Sequence, residues 1–410
     1  MDFLLLSEKE YENFWETHPL KTFLSSVEIG KLREKKNWKV HYVGIKENNI
    51  LCGAAMLLSK KKYLNKHEFY SPRGILVDYN NKKHLEFFIK NLIGYIKKEN
   101  GYILRIDPYI INRERDINGN IKEDGINNLN IIESLRNLGF KKSKNKEQVS
   151  WMFSLDIENK NEEEILKEMK SNTRNTIKKA EKLGIKIKEL SKEELPEFNK
   201  IMKSTGKRRN FIPREENYYQ DMYTLFKPKN EIKYLITELN LNDYVEILSQ
   251  EKEEKINKLN KENIKKTRRE ELLKEIELLE NKINDAKEIK KKTNSDIITL
   301  SGSMFLLIKP EIIYLSSGNY EEYLKFNSQY LIQWELIKYG IKHGFKKHNF
   351  YGIPENIDKH PDNYGIYEFK KGFNGYVEEL IGEYELPITK DYYLFKLFNK
   401  LKEVKYALHL

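Results

Sequence analysis

The sequence predicts a mixed α/β protein made of two copies of one unit, with a helical arm inserted in the second copy. Three observations predict this. Helix-like and strand-like hydrophobic patterns alternate along the chain. The order helix, glycine, strand, proline occurs twice, in "KNLIGYIKKENGYILRIDP" and in "WELIKYGIKHGFKKHNFYGIP". From Lys229 to Ser301 there is neither glycine nor proline, and the middle of that stretch is dense in lysine and glutamate.

The first copy is placed at residues 1–150. "SEKEYENFWETHPL" and "SSVEIGKLREKKN" have helical spacing. "WKVHYVGIKENNILCGAAMLLSK" reads as two strands joined at Glu47-Asn48-Asn49, a turn-forming cluster. "KKHLEFFIKNLIGYIKKEN" predicts a helix ending at Gly101, and "YILRIDP" a strand stopped by Pro108. "VSWMFSLDI" then returns as a strand.

The second copy is placed at 151–388, with the helix 389–410 available to complete the first. "EEEILKEMKSNTRNTIKKAEKLG" predicts one helix with a glycine stop, and "IKIKEL" a strand. Two helices follow in "SKEELPEFNKIMKSTGK" and "EENYYQDMYTLF". "IKYLITELN" and "DIITLSGSMFLLIKP" read as a hairpin pair, "QYLIQWELIKYGIKHG" as a helix and "FKKHNFYGI" as a strand. The hairpin turn of this copy is replaced by the arm, 243–294. Leu272, Ile276, Leu279, Ile283 and Ala286 step by four and three, the seam of a coiled coil, and Leu248, Ile256 and Leu259 supply a facing seam. An antiparallel helical hairpin tipped by "KKTRRE" follows, and replacing 248–291 by a short turn should leave a folded protein.

A net charge of +11 favours polyanionic partners, although a charged fraction of 33% rich in lysine is an equally ordinary solvated surface. The single cysteine, Cys52, excludes a disulfide framework. No run reaches the roughly 18 apolar residues that span a bilayer, so a cytoplasmic protein is expected, with peripheral contact at the inner face of the membrane left open. There is no P-loop, no G-x-G-x-x-G after a strand and no G-x-S-x-G elbow, and the scattered histidines give no metal site.

Chemistry-bearing residues gather at strand ends and in the helices beside them. Asp107 ends "YILRIDP", where open α/β sheets place ligand groups; capping the turn before Pro108 is its plain alternative. Arg174, Lys178 and Lys182 share a helix face, which suits either solvent or a phosphate backbone. "KRRNFIPREENYYQDM" joins Lys207, Arg208, Arg209 and Arg214 to Tyr218 and Tyr219, a set suited to a nucleotide. "YGIYEFKKGFNGYVEELIGEY", residues 364–384, predicts a helix ending at Gly372 and a strand from Tyr376 to Tyr384. Phe369 and Phe373 mark its buried side, with Lys370 beside that stripe and Lys371 turned further toward solvent.

"TRNTIKKAEKLGIKI", "PREENYYQDM", "YLSSGNYEEYLKFNSQYLIQWELIKYGIKHGFKKHNFYGI" and the 364–384 segment together resemble the FemABX family over nearly the whole chain. The resemblance implies two tandem GNAT-like units. It also implies transfer of an amino acid from aminoacyl-tRNA to the stem peptide of a peptidoglycan precursor, either lipid II or UDP-MurNAc-pentapeptide. No cofactor is implied; aminoacyl-tRNA is the co-substrate. Asp107 matches the acidic residue near the acceptor amine, and Lys370 the lysine at the reaction centre, with Phe369 before it. Arg214 and Tyr218 match residues that hold the diphosphate end of the acceptor, and Tyr314 lies in the matching strand. A phosphate-binding lysine of the family falls at Lys31 or, because this chain has extra residues there, at Arg33. Arg174, Lys178 and the arm-tip residues Arg268 and Arg269 are candidate tRNA contacts. The arm is typical of members resembling the lipid-linked users.

Such chemistry needs a neutral amine, yet a lysine-type amine with a pKa near 10.4 is neutral in only about one molecule in 2,500 at pH 7. A carboxylate at Asp107 can orient that amine and receive its proton, and Lys370 can stabilise the oxyanion or the leaving ribose oxygen. Two rivals stand beside this reading. A CoA-dependent N-acyltransferase needs a pyrophosphate-cradling turn at a helix start, which neither half contains. A non-enzymatic RNA-binding paralogue would need the basic arm but not Asp107.

Overall fold

The computed structural model describes residues 1–62, 64–144, 146–261, 264–355 and 361–398. The chain forms two compact units. Unit 1 holds Met1–Leu155, Phe350–Lys371 and the chain from Gly375 onward, and unit 2 holds Asp156–Asn349 with Gly372–Asn374.

Unit 1 opens with β1 (Asp2–Leu5), α1 (Glu8–Thr17) and α2 (Val27–Glu34). Ser7 and Glu10 cap α1 reciprocally, so its start is written locally. The strands β2 (Lys39–Glu47) and β3 (Ile50–Lys61) form the expected hairpin. Asn48 and Asn49 take φ of 51° and 64°, left-handed values that asparagine tolerates and that match strand twist. After β4 (His67–Ser71) and the short β5 (Leu76–Val77), α3 (Lys82–Lys98) leads into β6 (Gly101–Ile106). Then come β7 (Ile111–Arg115), α4 (Leu129–Asn137), the short β8 (Lys141–Lys142) and β9 (Trp151–Asp156). The pairs β1–β2, β2–β3 and β3–β4 are antiparallel, whereas β4–β6 is parallel. The core beneath this sheet is Val43, Ile45, Leu57, Phe69, Phe88, Leu92 and Leu104 with their neighbours.

Unit 2 begins with α5 (Glu162–Glu168) and α6 (Ser171–Lys182), a break in what periodicity reads as one helix. Met169 and Lys170 turn extended, and the groups freed at the break find long-range partners. The Arg174 guanidinium caps the α5 carbonyls of Leu166 and Lys167 at 3.1 Å each, and the Lys170 N–H donates to Gly372 O at 3.0 Å. The unit continues through β10 (Lys186–Glu189), α7 (Leu195–Arg209), α8 (Glu216–Phe226) and β11 (Ile232–Asn240). The arm helices α9 (Leu241–Leu259) and α10 (Lys266–Thr293) come next. They are followed by β12 (Ile297–Ile308), β13 (Glu311–Asn319), α11 (Ser328–Lys342) and β14 (Lys347–Gly352). Here β10–β11, β11–β12 and β12–β13 are antiparallel and β13–β14 is parallel. Element order and pairing sense thus repeat those of β1, α1, α2, β2, β3, β4, α3 and β6, with the arm as an insertion.

The repeated glycines turn out to do different work. In the first copy the left-handed residue after the helix is Asn100, at φ 58°, and Gly101 already belongs to the strand. A Cβ at Gly101 would meet Ile96 at 2.2 Å and Phe69 at 2.8 Å, so close approach demands glycine there. In the second copy Gly344 itself is left-handed, at φ 68°, with open space around it.

The arm stands where a hairpin turn would. Pairing of β11 with β12 runs from Ile232–Leu306 to Asn240–Ile297, the residues flanking α9 and α10. Ion pairs Lys252–Glu280 at 2.7 Å and Lys255–Glu275 at 2.6 Å show that the two helices run antiparallel. Leu248, Leu272, Leu279, Ile283 and Ala286 are buried, while Ile256, Leu259 and Ile276 are half-buried. The arm is less separable than the spacing predicts, because Leu248, Leu279, Ile283 and Ala286 share one apolar cluster with Leu239, Ile298, Leu300, Tyr323 and Phe326 of the body. Replacing 248–291 by a turn removes that root and is expected to lower stability by at least the 2–5 kcal/mol of one buried Leu→Ala change. Replacing only 251–278 keeps Leu248, Leu279, Ile283 and Ala286 and should leave stability near the parent's. Denaturant unfolding of both deletions checks this; equal stabilities would show that the root adds nothing.

After unit 2 the chain returns through α12 (Pro361–Lys371), β15 (Tyr376–Leu380) and β16 (Tyr384–Pro387). This corrects two expectations. The strand read from Tyr376 to Tyr384 is two strands, broken where Gly382 takes φ 76°. The boundary at 388 also fails, because β15 pairs with β7 and β9, and β16 with β6 and β8, so this stretch completes unit 1. Non-local strand pairing decides such a boundary, and no local pattern reports it. Residues 391–398 are helical, and Tyr392 and Phe395 pack on Tyr102 and Ile103; the rest of the expected helix to 410 lies outside the described residues.

Candidate active site

The parallel pair β4–β6 brings Ser71 opposite Ile106, so the chain leaves both strands at the same end of the sheet. Asp107 follows one strand and Arg73 the other. Each is only 2% exposed. Asp107 Oδ1 accepts the Arg73 backbone N–H at 2.8 Å and the Tyr70 hydroxyl at 3.1 Å. Oδ2 is buried, accepts no hydrogen bond among the described residues, and lies 3.6 Å from Arg73 Nη1. Burial pushes the Asp107 carboxyl up to about 6 against the opposing pull of the Arg73 charge and N–H. Arg73, with φ 50°, fixes its guanidinium by donating to Val149 O at 2.7 Å and by packing 5.8 Å from the Tyr109 ring.

Lys370 comes from the last turn of α12 and is 5% exposed. Its Nζ donates to Gly352 O at 2.7 Å and meets Tyr351 O at 3.4 Å. Burial pulls this ammonium down from the ordinary 10.5 to about 7. Tyr351, at φ 64°, lies near both groups: its carbonyl faces Lys370, and its side chain comes close to Arg73. A carboxylate and an amine, both buried and both biased toward neutrality, are therefore held in unit 1. Lys371 faces elsewhere, 3.7 Å from Glu368 and over the Tyr367 ring. The buried side of α12 is set by Tyr367 and Lys370; Phe369 is only half-buried, and Phe373, past the helix end, packs on Tyr330.

The other predicted residues divide. Arg214 is exposed, and its guanidinium lies 5.5 Å from the Tyr218 ring just before and within the first turn of α8, so this pair is brought together as expected. Lys31 is exposed on α2 and ion-paired with Glu8 at 2.7 Å, and Arg33 is half-buried on the same helix. Tyr314 is buried in unit 2, stacked 5.4 Å from Phe305, with its hydroxyl donated to Ser317. The Arg174 guanidinium is half-buried and caps α5, whereas Lys178 on that helix is exposed. Arg268 is ion-paired with Glu271 and Glu275, and Arg269 is exposed.

Sequence reading missed Arg73 and Tyr351. The available signal was "SPRG", an arginine between proline and glycine directly after a strand; what hides it is that its partner Asp107 lies 34 residues away.

A sequence model of the FemAB family matches residues 6–400. The chain belongs to the FemAB family. Relatives of this FemAB chain include Aminoacyltransferase FemA of Staphylococcus epidermidis, 32% identical over 98% of this chain and all of the relative. Aminoacyltransferase FemA of Staphylococcus aureus is 30% identical over 99% of each. The crystal structure of FemX superposes on the FemAB chain with a TM-score of 0.76, covering 96% of this chain and 99% of that one at 24% identity, and so shares its fold.

Proposed function

We propose that this FemAB chain is an aminoacyltransferase that moves an amino acid from aminoacyl-tRNA to the side-chain amine of a peptidoglycan stem peptide, building the interpeptide bridge. The observation that carries it is the Asp107–Arg73–Tyr351–Lys370 neighbourhood, in a chain whose relatives are named aminoacyltransferases. Tyr70 and Arg73 both occupy Oδ1 of Asp107, which leaves Oδ2 as the acceptor for the substrate ammonium. A base shifted to about 6 takes that proton more readily than an ordinary aspartate. The amine nitrogen forms the new C–N bond at the ester carbonyl carbon, whose oxygen takes the electron pair. Collapse then breaks the ester C–O bond, and Lys370 supplies a proton to the departing ribose oxygen. No covalent enzyme intermediate is required.

Arg214, stacked against Tyr218, is the contact for the diphosphate of the acceptor. The arm favours lipid II over the UDP-linked form, by its likeness to the arm of lipid-linked users. Arg214→Ala should raise KM for the precursor by the equivalent of about 1.5–3 kcal/mol and leave KM for aminoacyl-tRNA nearly unchanged. An equal rise for both substrates would remove the assignment.

The deciding experiment incubates the purified protein with labelled aminoacyl-tRNAs and either acceptor, reading products by mass spectrometry. Absence of transfer to both acceptors would sink the proposal, and acetyl transfer from acetyl-CoA would replace it. Single-turnover rates plotted against pH should break near 6 and near 7, the values to which burial moves Asp107 and Lys370. Asp107→Asn should erase only the lower break and Lys370→Met only the upper.

A further inference from the structure

We propose that the turn between α7 and α8 seats on the surface of an anionic phospholipid bilayer, with Phe211 and Ile212 inserted at the acyl-chain boundary. This deepens the reading of Arg214 as a phosphate contact and rests on it. Ile212 is 97% exposed and Phe211 42% exposed. They are not a loose tail. Asn210 turns the chain back at φ 53°, the Phe211 N–H donates to Gly206 O at 3.0 Å, and Pro213 lies against Gly206. A Cβ at Gly206 would meet Phe211 O at 2.7 Å and Pro213 Cδ at 2.9 Å, so the glycine is what lets the turn fold onto α7.

Cations ring the apolar tip. Between 203 and 216 the chain carries five, Lys203, Lys207, Arg208, Arg209 and Arg214, against Glu215 and Glu216. All but the half-buried Arg208 are exposed. Complementing the α7 dipole accounts for cations in that helix's last turn. It does not account for two adjacent apolar side chains held out into solvent. An apolar tip within a basic collar is the composition of a segment that lies in a membrane interface. The position also suits a lipid-linked acceptor, whose diphosphate lies at headgroup level with its prenyl chain in the bilayer. Arg214, two residues after Ile212, would meet that diphosphate.

The test measures sedimentation of the full chain with vesicles of phosphatidylcholine alone or with one quarter phosphatidylglycerol. The parent should bind the anionic vesicles at least about tenfold more tightly than the neutral ones, and salt should weaken that binding. A Phe211→Ser, Ile212→Ser variant should partition about 10- to 100-fold more weakly. Its transfer to a vesicle-borne lipid-linked acceptor should fall in parallel. Transfer to an acceptor with a short, water-soluble prenyl tail should be unchanged. Equal partitioning of parent and variant, or a parent that does not distinguish the two vesicles, would overturn the proposal. So would a variant that instead loses affinity for tRNA. A parent inactive on the water-soluble acceptor, the vesicle result standing, would count against the proposed reaction and not against the membrane contact.

Discussion

Lys370→Met is expected to lower kcat about 100- to 1,000-fold, the usual loss when a donor aimed at developing negative charge is removed. Lys371→Met is expected to keep near-normal rates, because that side chain meets Glu368 and the Tyr367 ring instead. Single-turnover transfer separates the two, and similar behaviour would refute the role given to Lys370. Stability should move the other way. The folded-state pKa of Lys370 lies below its unfolded value, so below about 7 both states hold the proton and the fold bears the full burden of a buried cation. That burden fades as pH rises from 7 toward 10.5, where the unfolded chain also deprotonates. Lys370→Met should therefore stabilise the protein most at pH 6, by the order of 2–4 kcal/mol once two lost hydrogen bonds are set against relief of desolvation. The gain should shrink at pH 9. A variant destabilised at pH 6 would show that the two carbonyl contacts outweigh burial. Gain in stability with loss of turnover is the mark of a residue kept for function.

The second large effect is expected at the Asp107–Arg73 pair. Asp107→Asn should reduce turnover about 100- to 10,000-fold by removing the proton acceptor. It also leaves the Arg73 guanidinium buried without its counter-charge, which typically costs about 3–5 kcal/mol. Adding Arg73→Met should restore much of the stability and none of the activity. Arg73→Met alone tests the positioning role. Asp107 then loses the charge that opposes its upward shift, so the lower break in the pH profile should move above 6. A break that stays at 6 would mean that Arg73 does not tune Asp107.

These residues also show where sequence reading ends. Asp107 was legible because a strand pattern stopped by Pro108 places it at a strand terminus. Lys370 was separable from Lys371 because adjacent helical residues point about 100° apart. The Asn48–Asn49 turn, the cap of α1 and the seam of the arm follow from interactions within a few residues, and local sequence encodes such interactions directly. The resemblance named the chemistry.

Tertiary structure decided the rest. Arg73 acquires its role from the β4–β6 register, and Lys370 its lowered pKa from burial among groups such as the Tyr351 and Gly352 carbonyls, 19 and 18 residues away. Arg174 and Tyr314 have surface-like or motif-like sequence contexts, yet a broken helix captures one and a closed core the other. The return of β15 and β16 to unit 1 is likewise invisible in their own sequences, since a strand's partner is fixed by long-range pairing. By itself the sequence determined what is set by short-range sterics and periodicity: element types, the duplicated order and the helical arm. Burial and charge environment depend on groups that only the closed chain brings together, so the tertiary structure decided which polar residues are shifted from their ordinary ionisation and which merely hold the fold.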